Sequence, residues 1–342
     1  TASTNNCNYI SLASDPTSDE IIMVTRDTSA GATDYEALVW SGSAWGNSIT
    51  GGVMTDLNNE GIAVEYEESG GQAVVAFSNG ANNSFLWTSW NGIEWSTLTA
   101  QALGNDFQWG VLKDDVGSDN MALCYIDTDN DIGIVRWNGE SWSTNQEIET
   151  TGNADTGRAV SCEFETIAGR DGNIMIPYSD TTNLRHRFWN GTSFSAEASI
   201  STILDAWEVG TVRAGDGKIL AVSHDDDTNT QYDFSYWDGV AWSTIQTLEG
   251  SPSVTADPRR QPIDMSERVF QFAQGSVTSD PVSFSLVPGR PTWGEATWNA
   301  TVPAGTNLTV QVMYATTTFC NVLVPNAALP GNSTGFTFDH HL

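Results

Sequence analysis

Apolar residues along this chain come in short runs separated by turn-forming clusters, with no helical period. Residues 60–100 show the pattern: "IAVEYE" alternates, "SGG" turns, "AVVAFS" is almost wholly apolar, "NGANN" turns, "SFLWTSW" runs to Asn91-Gly92, and "EWSTLTA" follows. Alternation bounded by Gly and Asn clusters predicts four short strands joined by hairpins. The second strand of each unit is apolar throughout: "EIIMVT", "AVVAFS", "MALCYI", "NIMIPY" and "KILAVS". A strand without a polar face must be covered on both sides.

The units repeat. "VWSGSAWG", "SWNGIEWS", "RWNGESWS", "FWNGTSFS" and "SYWDGVAWS" place their first aromatic at Trp40, Trp90, Trp137, Trp189 and Trp237, at intervals of 50, 47, 52 and 48 residues. A period near fifty with four strands per unit predicts a β-propeller, in which neighbouring sheets cover each blade on both faces. A degenerate sixth unit is legible in "QPIDMSE" and "RVFQFAQ", so the expectation is an all-β propeller over residues 1–281, with six blades favoured and five the alternative. A two-residue type I′ turn at Asn91-Gly92 would set Trp90 opposite Ile93 and Thr88 opposite Trp95, making the two indoles diagonal neighbours on one face. The aromatic pairs Trp40/Trp45, Trp90/Trp95, Trp137/Trp142, Trp189/Phe194 and Trp237/Trp242 are accordingly read as packing between blades rather than as a sugar platform.

From about Val282 the period stops and Pro, Gly, Thr and Asn dominate. "NLTVQVMYA" and "FCNVLV" predict a small antiparallel β module, sandwich or jelly-roll-like, over 282–342. The repeats "ALVWSGSAWG" and "FWNGTSFS", followed by "WGEATWNATVPAGTNLTVQV" and "LPGNSTGF", resemble a family of prokaryotic secreted and surface proteins in which W-N-G-x-x-W propeller repeats precede a jelly-roll-like module. The resemblance implies an extracellular or cell-surface location and no particular activity. Further strands would be expected after "LPGN", so a module ending at Leu342 presents an open edge. Such an edge invites strand complementation by a second copy and head-to-tail assembly into a filament or array.

The net charge of −30, from 43 acidic and 13 basic residues, disfavours nucleic acid and anionic membranes as partners. No apolar stretch approaches the roughly 20 residues that span a bilayer, and a start at Thr1 reads as a processed product. Asn82, Asn190, Asn299, Asn307 and Asn332 stand in glycosylation triplets suited to an exported protein. The cysteines, Cys7, Cys124, Cys162 and Cys320, lack zinc spacing and are candidates for disulfides or buried thiols. Cys124 and Cys162 lie in apolar strand-like runs, and Cys7 and Cys320 near opposite ends of the chain.

Candidate chemistry is sparse. Asp127, Asp129 and Asp131 alternate in "DTDNDIG" and could wrap a calcium ion, although an ordinary turn explains them too. No Ser-His-Asp arrangement, phosphate loop or metal-binding His pair is present. Trp87, Trp109 and Trp207 fall outside the repeated hairpins and are candidates for glycan contact. The expected function is an extracellular structural or adhesive protein, not an enzyme, whose partners are copies of itself and candidate glycans. A carbohydrate-binding propeller is the alternative, and a sialidase-like glycoside hydrolase the third reading.

Overall fold

In the computed structural model the described residues are 7–27, 35–51, 59–69, 71–80, 83–153, 157–201, 206–215, 217–225 and 232–249, with strand segments at 295–296, 309–315, 320–328 and 336–337. Every regular element among them is a β-strand. Five four-stranded antiparallel sheets follow in chain order. The first contains β1 (Cys7–Ser14), β2 (Glu20–Asp27), β3 (Tyr35–Ser41) and β4 (Trp45–Gly51). The second contains β5 (Ile62–Tyr66), β6 (Ala73–Ser78), β7 (Ser84–Trp90) and β8 (Thr99–Ala102). The third contains β9 (Phe107–Asp114), β10 (Asn120–Asp127), β11 (Ile132–Asn138) and β12 (Gln146–Glu149). The fourth contains β13 (Glu163–Phe164), β14 (Ile174–Ser179), β15 (Leu184–Trp189) and β16 (Ala198–Ser201), and the fifth β17 (Ala206–Arg213), β18 (Ile219–Asp225), β19 (Tyr232–Trp237) and β20 (Gln246–Glu249).

The apolar second strands explain the architecture. All six residues of β6 are buried, and alternate ones enter different cores. Ala73, Val75 and Phe77 join Ile22, Val24 and Val39 of the first sheet, whereas Val74 and Ala76 join Leu112, Leu123 and Val135 of the third. On the next strand of this kind, Ala122, Cys124 and Ile126 turn toward Phe164, Ile174 and Ile176 of the fourth sheet. Side chains alternate across a strand, so each blade feeds two interfaces and needs a neighbour on each face. The innermost strands bring Ile10–Leu12, Ala63–Glu65, Gly110–Lys113 and Gly210–Thr211 around one central cavity of about 140 Å³, which Ser161 of the fourth repeat also lines. The radial arrangement is a β-propeller.

A charged clasp ties the inner strands. Arg213 donates through Nη1 to Glu163 Oε1 at 3.1 Å and through Nη2 to Asp114 Oδ2 at 3.4 Å, joining the third, fourth and fifth blades. Lys113 Nζ donates to the Thr211 carbonyl at 3.3 Å. Beside this clasp burial pushes the Glu65 carboxyl up to about 8, and the Asp114 charge adds to the rise.

The chain separates into units 1–270 and 271–342. In the second unit β21 (Glu295–Ala296) pairs with β24 (Phe336–Thr337), and β22 (Thr309–Ala315) with β23 (Cys320–Ala328), all antiparallel. The expected sixth repeat, residues 251–281, lies outside the described residues, as does most of the segment expected to mediate assembly.

Candidate functional site

The repeated aromatic hairpins differ from the expected turn. Trp90 pairs directly with Trp95, Trp137 with Trp142, Trp189 with Phe194 and Trp237 with Trp242, as Trp40 does with Trp45. Four residues separate each pair, not a two-residue type I′ turn, so the rings stand opposite rather than diagonal. The reason is the first loop residue: Asn138 Oδ1 accepts the backbone N–H groups of Glu140 and Ser141 at 3.1 and 2.9 Å, which closes the wider loop. Asn91, Asn190 and Asp238 do the same in their repeats. The serine after the second aromatic adds a further brace, since Ser96, Ser143, Ser195 and Ser243 each accept the backbone N–H of the residue preceding the first aromatic. Within each pair the ring centroids lie 4.9 to 5.8 Å apart.

These rings meet the preceding blade through carboxylates that the sequence reading overlooked. Trp90 Nε1 donates to Glu20 Oε1, Trp137 Nε1 to Glu67 Oε1 and Trp237 Nε1 to Glu165 Oε1, each at 2.7 Å. The second aromatic contributes as well, Trp95 Nε1 donating to the Asn47 carbonyl of the first blade. The third-blade counterpart of Glu67 and Glu165 is Asp115, which opens the equivalent hairpin and is one methylene shorter. Its Oδ2 accepts from Ser118 Oγ at 2.9 Å and Asn120 Nδ2 at 3.4 Å.

Between the third and fourth blades lies a cavity of about 460 Å³. Trp189 of the fourth blade and Arg136 of the third line it, with Asn120, Asn138, Ser141 and Ser143 supplying polar groups. Trp137 and Trp142 also border it, but their rings pack against Phe85 and Trp87 of the second blade. Arg136 sits on β11, one residue before the first indole. Its guanidinium carbon lies 3.7 Å from the Trp189 ring centroid, and Nη2 donates to Gln146 Oε1 at 3.1 Å. Burial lowers its pKa from the ordinary guanidinium value. Among the described residues the buried Arg136 Nε–H has no hydrogen-bond partner. Buried donors left so cost about 1–3 kcal/mol each unless something accepts from them.

The neighbouring interface shows how such a place can be filled from within. There Phe188 stands where Arg136 stands one blade earlier, 4.9 Å from Trp237. Arg170 covers both rings, with Nε donating to Glu165 Oε2 at 2.8 Å and Nη1 to the Gly239 carbonyl. The residue before the first aromatic is Val39, Ser89, Arg136, Phe188 and Tyr236 in successive repeats. A charge at one copy of an otherwise uncharged position was the signal available for finding this site.

The other candidates lie elsewhere. Trp109 is buried, edge-on to Tyr9, and half-buried Trp87 packs against Trp137 at 5.0 Å; neither lines this cavity. Trp207 lies on β17, but its side chain is outside the described residues. Asp127 is buried and its Oδ1 accepts the N–H groups of Asp129 and Asp131, a self-contained turn. No group of three or more His, Cys, Asp or Glu side chains arranged to hold a metal occurs among the described residues. Cys124 and Cys162 are buried free thiols in the core shared by the third and fourth blades, while Cys7 opens β1 and the Cys320 side chain is outside the description. Asn190 is exposed in its loop; Asn82, Asn299, Asn307 and Asn332 are outside the described residues.

No family model matches the chain, and no curated protein matches it. Solved structures do. The fold is similar to that of the BP39L lectin from Burkholderia pseudomallei, with 11% identity and a TM-score of 0.52 over 72% of each chain. It is also similar to AofleA from Arthrobotrys oligospora, with 11% identity and a TM-score of 0.50 over 71% of this chain and 72% of that one. A weaker likeness links it to the Aleuria aurantia lectin, described as a six-bladed β-propeller with a novel fucose recognition mode, at 17% identity and a TM-score of 0.46 over 71% of this chain and 80% of that one. At such identities the likeness is one of fold, and the first two structures establish it as that of an all-β propeller of the kind found in a lectin.

Proposed function

We propose that the protein is a lectin that binds a glycan in the cavity between its third and fourth blades. The observation that carries the reading is the lining: the Trp189 indole with the Arg136 guanidinium stacked on it, polar Asn and Ser groups around them, and a buried Arg136 Nε–H that has no acceptor among the described residues. Sugars present apolar C–H faces that suit aromatic rings, together with hydroxyls and ring oxygens that need donors and acceptors. The volume suits a small ligand. Similarity in fold to a lectin supports the reading. Glycoside hydrolysis is disfavoured for this cavity, because its lining contains no Asp or Glu to serve as the acid or the nucleophile. Attachment to a glycan-bearing surface is itself adhesion, so the adhesive reading and the carbohydrate-binding one converge on a single site.

A glycan array probed with the wild-type protein and with Trp189→Ala tests this directly. Wild type is expected to retain a defined subset of glycans, and the variant to lose at least about tenfold in affinity for the same subset, as removal of a buried aromatic anchor does. Retention by both proteins alike would refute the assignment of the site.

A further inference from the structure

Resting on the lectin reading, we infer that the sugar accepted between the third and fourth blades carries an anionic group, a carboxylate or a sulfate, and that Arg136 binds it.

The inference follows from where the charges are matched and where they are not. Among the described residues, Arg170, Arg185 and Arg213 each hold a carboxylate within 3.4 Å, and Arg158 and Lys113 have longer ion pairs to Glu60 and Glu163. Arg136 and Arg187 have no such pair; Arg187 meets the Tyr178 hydroxyl, whereas the side-chain bond of Arg136 goes to the neutral amide of Gln146. In a chain with 43 acidic against 13 basic residues, counter-ions are plentiful, so a guanidinium held against an indole without one is a specific arrangement. The contrast with Arg170 sharpens it, since that side chain covers a Trp and a Phe in the adjacent interface while donating to Glu165.

Carboxylates are also the regular occupants of these interfaces. Glu20, Glu67 and Glu165 each accept from an indole of the following blade. At the third-to-fourth interface the matching carboxylate, Asp115, turns to Ser118 and Asn120, as Asp15 of the first blade turns to Thr17 and Ser18. But where the first blade then supplies Glu20 to the indole, the third has neutral Asn120, and there the cavity offers a cation and no acidic side chain. A planar guanidinium already fixed by stacking loses little freedom on binding an oxyanion, and its fork fits carboxylate or sulfate oxygens with parallel hydrogen bonds. The unsatisfied Nε–H belongs to that fork.

The test is a titration of the whole protein with matched sugars. Methyl glucuronide against methyl glucoside, and sialylated and sulfated galactosides against their neutral parents, separate the carboxylate source from the sulfate source. The acidic member of at least one pair is expected to bind about tenfold more tightly or better, the range of a charge-assisted hydrogen bond. Arg136→Gln should reduce that advantage to less than about threefold, and Arg136→Lys should keep part of it, with melting curves reporting that both variants are folded. Neutral sugars binding as well as their acidic partners would overturn this inference and leave the lectin reading standing. Binding of no sugar of either kind would overturn both. An acidic preference that survives unchanged in folded Arg136→Gln would remove Arg136 from the account.

Discussion

A tryptophan in these hairpins is both an apolar surface and a donor, and its carboxylate partner decides which role dominates. Trp137 spends its N–H on buried Glu67. Trp137→Phe should therefore lower stability by about 1–3 kcal/mol in denaturant unfolding, because the carboxylate keeps its burial and loses its donor. Glu65 gives a pH test. Its pKa is about 8 in the fold against an ordinary carboxylate value when unfolded, so between those limits the folded protein binds the extra proton and stability falls as pH rises. Buried His186 works oppositely, its pKa lowered to about 4 by desolvation, but only below its unfolded value of 6.5. Between about pH 6.5 and 8, then, melting temperature should fall in the wild type and fall less in Glu65→Gln. Equal slopes would contradict the buried-carboxylate assignment. Arg136 is marked in the sequence only by its charge at an otherwise uncharged repeat position. Its function depends on an indole some fifty residues away in the next blade, and a single sequence shows the repeat without showing which faces meet.

The element that defines the molecule is the aromatic hairpin. Its existence, strand order and period were readable from spacing, because Gly and Asn clusters mark turns and apolar runs mark doubly covered strands. Its loop was misjudged because Asn-Gly suggests a two-residue turn, whereas the Asn side chain binds two N–H groups further along and closes a four-residue one. The glycine stays essential for its left-handed backbone, φ being +84° at Gly92 and +96° at Gly239. A Cβ at Gly92 would meet nothing within 4 Å, whereas at Gly239 it would stand 2.6 Å from Ile167 Cδ1. Gly92→Ala and Gly239→Ala should each cost about 1 kcal/mol from backbone strain, as compared by unfolding midpoints, the Ile167 terminus being free to move aside from the second. A much larger cost at Gly239 would show that Ile167 of the neighbouring blade is held rigidly against it.

In the second, third and fourth blades alternate residues of the second strand supply two cores, so each of these blades holds both neighbours. Cys124 and Cys162 illustrate the tightness: both are fully buried thiols in the interface beneath the cavity, and burial raises the Cys124 pKa well above that of an ordinary thiol. Alkylation followed by peptide mapping should leave both unmodified in the native protein and modify both in denaturant. Native labelling of either would mean that the third and fourth blades part. The acidic composition disfavours nucleic acid as a partner but does not single out Arg136, which the fold brings against Trp189.

The central claim is that this interface holds a sugar. A crystal structure of the protein with a glycan chosen from the array tests it most directly. The account predicts the sugar in the cavity between the third and fourth blades, in contact with Trp189 and within hydrogen-bonding distance of Arg136. A glycan bound with full affinity at another place, with this cavity unchanged, would contradict it.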